Sequence, residues 1–378
     1  MIKKITVLGA TGSIGLNTID VLKKYKDKFA LYAISCDTNI KKFYNIVEKF
    51  DPVYGVIVNK NECFKFKNNY KGTTEILCGT EGIDEIIERD ETDIYMNAIS
   101  GFAGALPTLK ILNKKKKIAL ANKESLVIFG DIIDKESYEY IIPIDSEHNA
   151  IYQCLKGESA DSIERIILTA SGGPFWANKS NLKYITIEDA LNHPTWNMGK
   201  KITIDSATMM NKGYEIIEGH YLFNLPEEKI DVLIHPQSVV HSFVEFKDYS
   251  VKALLSNPDM KLPIEYALLE EEHGEAFIEK LDLSKICSLN FYKPDKEKFY
   301  ALRIARDCLN EGGTMPAVLN AADEVAVYRF IKGEIGFLDI LRIVEKTLDK
   351  HNVIKNPGVE DILEVNKWAK QYARGVKL

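Results

Sequence analysis

The first third of the chain alternates two hydrophobic rhythms. Short apolar runs at residues 5–8, 31–35, 53–59, 94–99 and 118–121 read as strands. Between them apolar residues recur at helical spacing, as at Leu16, Ile19 and Leu22. Strands separated by helical patterns predict a parallel sheet wound with crossover helices, a Rossmann-like α/β domain over residues 1–150. The middle of the chain changes character. Strand-like runs at 165–169, 232–234 and 239–246 alternate with loops dense in glycine, proline and histidine, which predicts a central α+β domain over 151–290. From 291 to 378 the period is helical. Leu302, Ala305 and Leu309 share a face before Gly312-Gly313. Three further stripes follow, at Leu319/Ala322/Ala326/Phe330, Leu338/Leu341/Val344/Leu348 and Ile362/Val365/Ala369/Tyr372, so a C-terminal helical bundle is expected.

Composition narrows the function. The 378 residues carry 49 Lys+Arg against 55 Asp+Glu, a net charge of −6. That balance argues against general nucleic-acid binding and requires a local basic site for any anionic ligand. A hydrophobic fraction of 46% excludes disorder. The N-terminus runs straight into a strand and leaves no room for a signal peptide, and no apolar stretch reaches membrane-spanning length. A cytoplasmic protein with no membrane partner is expected. The six cysteines, at 36, 63, 78, 154, 287 and 308, show no C-x-x-C and predict reduced thiols.

Gly9-Ala10-Thr11-Gly12-Ser13-Ile14-Gly15 follows a strand and opens a helix, the context in which a pyrophosphate rests on free backbone N–H groups. A dinucleotide cofactor is expected. Asp37, at the end of the second strand, is of the type that takes a ribose 2′-hydroxyl, which by itself points to NADH; a solvent-facing loop residue is the alternative.

The run 141–148 is the most suggestive chemically. Asp145 and Glu147 are two apart, so in extended geometry both carboxylates project to one side, at the end of a buried strand. Neighbouring carboxylates repel unless a cation or proton lies between them, and all-oxygen ligation favours Mg²⁺ or Mn²⁺. Glu215 offers a third ligand; for the Asp145 and Glu147 pair taken alone, a solvated acidic strand end is the competing reading. His148 reads as structural or as a ligand. Ser171-Gly172-Gly173, Ser206, Asn211 and Lys212 have the hydroxyl, amide, ammonium and backbone groups that surround a phosphate. Lys123 reads as a substrate contact or an ion-pair partner. The run 114–117 of four lysines reads as a solvated helix C-terminus. Residues 193–199 read as a lid, with Trp196 covering the ligand and Gly199 giving flexibility, against the alternative of a core tryptophan.

Taken together, residues 9–15, 120–126 (LANKESL), 143–151 (PIDSEHNAI), 171–175 (SGGPF), 193–199, 204–213 (IDSATMMNKG) and 234–242 (IHPQSVVHS) resemble the 1-deoxy-D-xylulose 5-phosphate reductoisomerase family, in order and over most of the chain. The resemblance implies an NADPH-binding N-terminal domain, a central domain that is catalytic and dimer-forming, and a C-terminal helical domain. It implies Asp145, Glu147 and Glu215 as Mn²⁺ or Mg²⁺ ligands, with Ser146, Glu147 and Lys123 at the substrate. Ser171, Ser206, Asn211 and Lys212 would hold its phosphate, and His193 and Trp196 would belong to the lid. Thr11, Gly12, Ser13, Ile14, Asn39, Asn122, Glu124 and Gly199 would hold the dinucleotide. His241 matches a family histidine of open role. Asp37-Thr38 stand where the family commonly has Gly-Lys or a similar pair, so that lysine is missing from the 2′-phosphate side. NADPH remains the expected cofactor, and a homodimer the expected assembly. Two rival classes are a semialdehyde-type Rossmann dehydrogenase, which opens on a similar Gly-Ala-Thr-Gly but needs a reactive cysteine, and a catalytically silent relative acting as a binding module.

Overall fold

The computed structural model describes residues 2–177, 182–196 and 198–378; Asn197 of the expected lid lies outside the described residues. In chain order the N-terminal elements are β1 (Lys3–Leu8), α1 (Ser13–Lys24), β2 (Phe29–Cys36), α2 (Ile40–Phe50), β3 (Tyr54–Ile57), α3 (Lys60–Asn69), β4 (Glu75–Cys78), α4 (Gly79–Arg89), β5 (Ile94–Asn97), α5 (Ala105–Asn113), β6 (Lys117–Leu120), α6 (Glu124–Phe129) and β7 (Ile141–Pro143). Then come α7 (Ser146–Cys154), β8 (Ile163–Ala170), α8 (Ile187–Leu191), α9 (Lys200–Thr208), α10 (Met210–Phe223), β9 (Ile230–Ile234), β10 (Val240–Phe246) and β11 (Val251–Leu255). Helices α11 (Lys261–Leu268), α12 (Ala301–Glu311), α13 (Met315–Ile331), α14 (Asp339–Asp349) and α15 (Val359–Gly375) complete the chain.

The chain divides into two compact units. The first holds the residues up to Ser125, with Ile133–Asp145 and Asp259–Ile278. Its sheet has seven parallel strands in the order β4-β3-β2-β1-β5-β6-β7. Strand order reverses between β1 and β5, and in such sheets ligands bind beyond the carboxyl ends of the strands at that reversal. Strand centres are fully buried (Ile5, Val7, Val56, Met96 and Ile118 are all at 0% exposure), as expected of a sheet covered on both faces. The late segment 259–278 returns to this unit. There Tyr25 donates to Glu265 Oε1 at 2.6 Å and Lys24 reaches the same oxygen at 3.0 Å, anchoring α11 on α1.

The four lysines at 114–117 form a solvated face, as expected. Lys114 pairs with Glu88 and Lys116 with Asp90 on the neighbouring helix end. One cysteine expectation is corrected. Cys63 and Cys78 form a disulfide, with Cα atoms 5.7 Å apart, while Cys36, Cys154, Cys287 and Cys308 are free. The reason is topological: α3 folds back along β4, so two cysteines 15 residues apart meet where linear spacing gives no signal.

The second unit comprises Leu126–Ile132, Ser146–Pro258 and Glu279–Leu378. Its four-stranded sheet runs β11-β10-β8-β9, with β8 and β9 parallel and β10 and β11 antiparallel to their neighbours. One continuous hydrophobic core joins this sheet to α10 and to α12–α15, from Ile166 and Leu168 through Ile216 and Phe299 to Val344 and Ala369. Helix α13 is apolar almost all round and starts with Pro316 in its first turn, where the missing N–H costs nothing. Gly312, at φ +67°, ends α12 where the sequence places its stop. Among the described residues no helix is long and apolar enough to cross a membrane.

Candidate active site

In the first unit the glycine turn has the shape the sequence predicts. Gly9 has φ +83°, and a Cβ there would lie 2.7 Å from Ala98 O, just beyond the end of β5 across the reversal point; a Cβ on Gly15 would lie 2.3 Å from Gly9 O. Glycine is therefore required at both positions. Gly12 caps α1 without a side-chain hydrogen bond, so Thr11, Gly12, Ser13 and Ile14 present a bare backbone turn. Asn39 caps α2 by accepting from Lys42 N, and Asp37 is exposed.

At the ends of β5 and β6, Asn122 donates to Ile99 O at 2.8 Å and to Gly101 O at 3.0 Å. Glu124 accepts from Asn122 at 3.1 Å and from Gly101 N at 3.1 Å. These two expected cofactor contacts thus shape the turn after β5. Lys123, buried between them in sequence, pairs with Asp145.

The second unit gathers the other candidates. The expectation that Asp145 and Glu147 lie together in an extended strand is corrected: β7 ends at Pro143 and Glu147 is in the first turn of α7. The two straddle a strand-to-helix turn, because the polar run 145–149 leaves the apolar strand and satisfies a helix start instead. Ser146 Oγ donates to Glu147 Oε2 at 2.6 Å. Across on α10, Lys212 Nζ lies 3.0 Å from Glu147 Oε1 and pairs with Glu215 as well, while Asn211 Nδ2 donates to Glu215 Oε1 at 2.6 Å. Lys212 and Glu215 are at 3% and 1% exposure, so the pairing is inside protein rather than in solvent.

Two carboxylates drawn onto one ammonium from two helices make an all-oxygen donor set around a cationic point, and these residues fit a hard divalent ion. Helix α9, which carries Ser206, meets α10, which carries Asn211 and Lys212 in its first turn, at a single left-handed residue, Met209 (φ 65°).

The Ser171-Gly172-Gly173 turn packs against the same place. Gly173 has φ +64°, and a Cβ there would lie 2.8 Å from Ser206 O. Ser171 Oγ is 2.9 Å from His193 Nε2, and His193 Nδ1 accepts from Thr195 N and Trp196 N at 3.1 and 2.8 Å. With Nδ1 an acceptor of two amides, the proton sits on Nε2 and is donated to Ser171. Burial holds the His193 pKa below its usual value, which favours this neutral form. Trp196 is half-buried, and Gly199 caps α9 in the second unit, apart in the chain from the other expected dinucleotide contacts.

His148 is structural in its contacts. It is fully buried, with Nε2 2.9 Å from Glu215 O and Nδ1 3.3 Å from Glu218 Oε2, joining α7 to α10. Glu218 was not singled out from the sequence; its signal is the Glu215-x-x-Glu218 spacing, which puts both carboxylates on one helix face. His241 hydrogen-bonds Ser256 Oγ at 2.8 Å, and burial lowers its pKa to about 4.

Comparison with known proteins agrees across the whole chain. Residues 5–130 match the model of the 1-deoxy-D-xylulose 5-phosphate reductoisomerase family, and 141–223 and 255–372 match models of its C-terminal domains. The chain is 45% identical to the 1-deoxy-D-xylulose 5-phosphate reductoisomerase of Clostridium kluyveri, covering 98% of each chain. It is 47% identical to that of Chlorobium chlorochromatii, covering 98% of this chain and 99% of that one. Among solved structures it is similar to the Zymomonas mobilis enzyme in complex with NADPH (40% identity, TM-score 0.90, 99% of this chain and 98% of that one). It is also similar to a DOX-P reductoisomerase in complex with NADPH, fosmidomycin and magnesium (38% identity, TM-score 0.93, the same coverage). A glycine turn at the strand reversal, carboxylates gathered on a buried lysine and full-length similarity at this level have one reading: the chain belongs to the 1-deoxy-D-xylulose 5-phosphate reductoisomerase family.

Proposed function

We propose that this protein converts 1-deoxy-D-xylulose 5-phosphate to 2-C-methyl-D-erythritol 4-phosphate, a step of non-mevalonate isoprenoid precursor synthesis. The reaction is an isomerisation by retro-aldol cleavage and aldol rejoining, followed by NADPH-dependent reduction. The observation that carries this reading is the convergence of Glu147 and Glu215 on Lys212, together with Ser146 and Asn211 bonded to the same carboxylates.

Asp145, Glu147 and Glu215 are the residues assigned to hold Mg²⁺ or Mn²⁺. A divalent ion there supplies charge stabilisation for the substrate's carbonyl and hydroxyl oxygens. Lys123 stands at the reacting atoms as a second cationic group, and Ser146 and Glu147 orient the hydroxyls. Ser171, Ser206, Asn211 and Lys212 take the phosphate, and His193 supports Ser171 by donating to its oxygen. His193 and Trp196 form the lid that excludes water, and remote phosphate binding supplies the energy for its closure. Thr11, Gly12, Ser13, Ile14, Asn39, Asn122, Glu124 and Gly199 hold the NADPH.

Functionally the chain divides into a cofactor-binding part (1–150), whose last residues from Asp145 serve the catalytic chemistry, a catalytic and dimer-forming part (151–290) with its lid near 193–199, and a helical part (291–378) that shares the core of the central sheet. The protein acts as a cytoplasmic homodimer. Support for the dimer comes from β11, an edge strand with Val251 50% exposed and Leu255 36% exposed, since an open apolar edge is a template for a second copy. The semialdehyde dehydrogenase alternative finds no activated thiol in buried Cys36 and Cys308 or in half-buried Cys154. Burial pushes Cys36 up to about 12 and raises Cys308 and Cys154 as well, against formation of a thiolate.

The direct test is NADPH oxidation with 1-deoxy-D-xylulose 5-phosphate and Mn²⁺, run beside NADH. Turnover with NADPH preferred supports the reading and means that Asp37 does not repel the 2′-phosphate. Equal or better turnover with NADH overturns the cofactor, and no turnover of folded protein overturns the reaction.

A further inference from the structure

The second unit contains a buried charged node outside the residues assigned above. Asp323, on α13, is at 0% exposure. Its Oδ2 accepts from Lys201 Nζ at 2.8 Å and from Tyr214 OH at 2.8 Å. Lys201 also reaches Asp205 Oδ2 at 2.5 Å, one turn along α9, and lies 5.1 Å from the centre of the Tyr214 ring. One carboxylate oxygen therefore ties together three helices: α13, which carries it, α9 through Lys201 and α10 through Tyr214.

The node is costly. Asp323 is wholly withdrawn from water, and its Oδ1 has no hydrogen-bond partner among the described residues. A buried ion pair is weak support for stability, since apolar residues of similar volume often serve as well; its best-attested use is to fix one arrangement against slippage. Here the arrangement concerned is specific. Helix α9 carries Ser206, helix α10 carries Asn211, Lys212 and Glu215, and Tyr214 directly precedes Glu215. The two helices meet at the single left-handed residue Met209, a joint whose angle needs bracing from elsewhere.

We infer that Asp323 is a positioning residue for the reaction: through Lys201 and Tyr214 it sets the angle between α9 and α10, and hence the distance between Ser206 and the Asn211–Lys212–Glu215 group. This rests on the functional reading above. No residue of the node is among those assigned to substrate or cofactor; it acts through the helices that carry them.

The test compares Tyr214→Phe and Asp323→Asn with wild type. Tyr214→Phe deletes one hydrogen bond and keeps the ring, so it folds even if the aspartate variant does not. The expected result for Tyr214→Phe is a rise of about 10-fold in the KM for 1-deoxy-D-xylulose 5-phosphate or in the Mg²⁺ concentration for half activity, the size seen when supporting partners of a site are lost. NADPH affinity without substrate and the melting temperature should stay close to wild type. A lowered melting temperature with unchanged KM, kcat and Mg²⁺ requirement makes the node purely structural and overturns the inference alone. Wild-type protein that turns over no substrate overturns the functional reading, and the inference falls with it.

Discussion

Lys212 Nζ lies 3.0 Å from Glu147 Oε1, so an ammonium in the first turn of α10 is held by a carboxylate in the first turn of α7. The same ammonium pairs with Glu215 three residues along its own helix. The exposures decide what this means. With Lys212 at 4% and Glu215 at 1% of side-chain accessibility, the charges are sealed in protein, where an unpartnered carboxylate is strongly disfavoured. A cation belongs between these groups, whether an ammonium or a divalent ion.

Replacing the ammonium tests that demand. Lys212→Met leaves buried carboxylates facing each other, and breaking such a pair costs about 3–5 kcal/mol. Urea unfolding in the presence of a chelator should show this loss. Added Mg²⁺ should recover part of it, because an ion that binds only the folded state stabilises it by mass action. Recovery by Mg²⁺ equal to that of wild type would mean that Lys212 and the ion do not share the site.

Lys123 is buried and paired with Asp145, the residue assigned as a third ligand. On its proposed role at the reacting atoms, its removal in Lys123→Ala should lower kcat by about 100-fold or more, the scale of a lost positioned acid or base group. NADPH binding, followed by fluorescence, should persist. A normal kcat with intact Mg²⁺ dependence would reduce Lys123 to an ion-pair partner.

His241 gives a pH signature. Its pKa falls from 6.5 to about 4 by burial, with His235 nearby acting in the same direction and the Ser256 contact opposing. Above pH 6.5 the ring is neutral both folded and unfolded, and its contribution to stability is complete. As pH falls below 6.5 the unfolded chain takes up the proton first, so stability is lost down to about pH 4 and then levels. The span corresponds to about 3 kcal/mol. His241→Gln should flatten the melting-temperature profile across that window; an unchanged slope would assign the loss to other groups, and burial also lowers the pKa of His193, His235 and His351.

The Cys63–Cys78 pair predicts four titratable thiols, not six, in unfolded and unreduced protein. Its sequence separation is 15, so reduction should destabilise the first unit by about 3 kcal/mol on the loop-entropy estimate. Six thiols before reductant is added would contradict the pairing.

Much of this molecule is legible in its sequence because periodicity reports burial directly. The stripe Leu302, Ala305, Leu309 is the buried face of α12, and the runs at 5–8 and 94–99 are paired strands β1 and β5. Strands β4 and β11 escape notice because they are short edge strands, half-exposed and therefore without a clean apolar run. Single-residue chemistry is less legible. The sequence supplies Glu147, Lys212 and Glu215 as types, but their meeting depends on α7 and α10 packing across the second unit. Asp323 and Tyr214 carry no motif of their own and appear only when helices are placed side by side, while Glu218 is signalled only by its spacing from Glu215. The extended geometry expected for Asp145 and Glu147 failed because a polar run after a strand can begin a helix at once.

The most direct test of the central claim is the Mn²⁺ dependence of NADPH oxidation with 1-deoxy-D-xylulose 5-phosphate, measured for wild type beside Glu215→Gln. The account predicts turnover that a chelator abolishes in wild type. For Glu215→Gln it predicts a drop of about 100-fold or more in activity, with any remnant needing far more Mn²⁺. Turnover that survives the chelator, or a variant with wild-type activity at the same Mn²⁺ concentration, would contradict it.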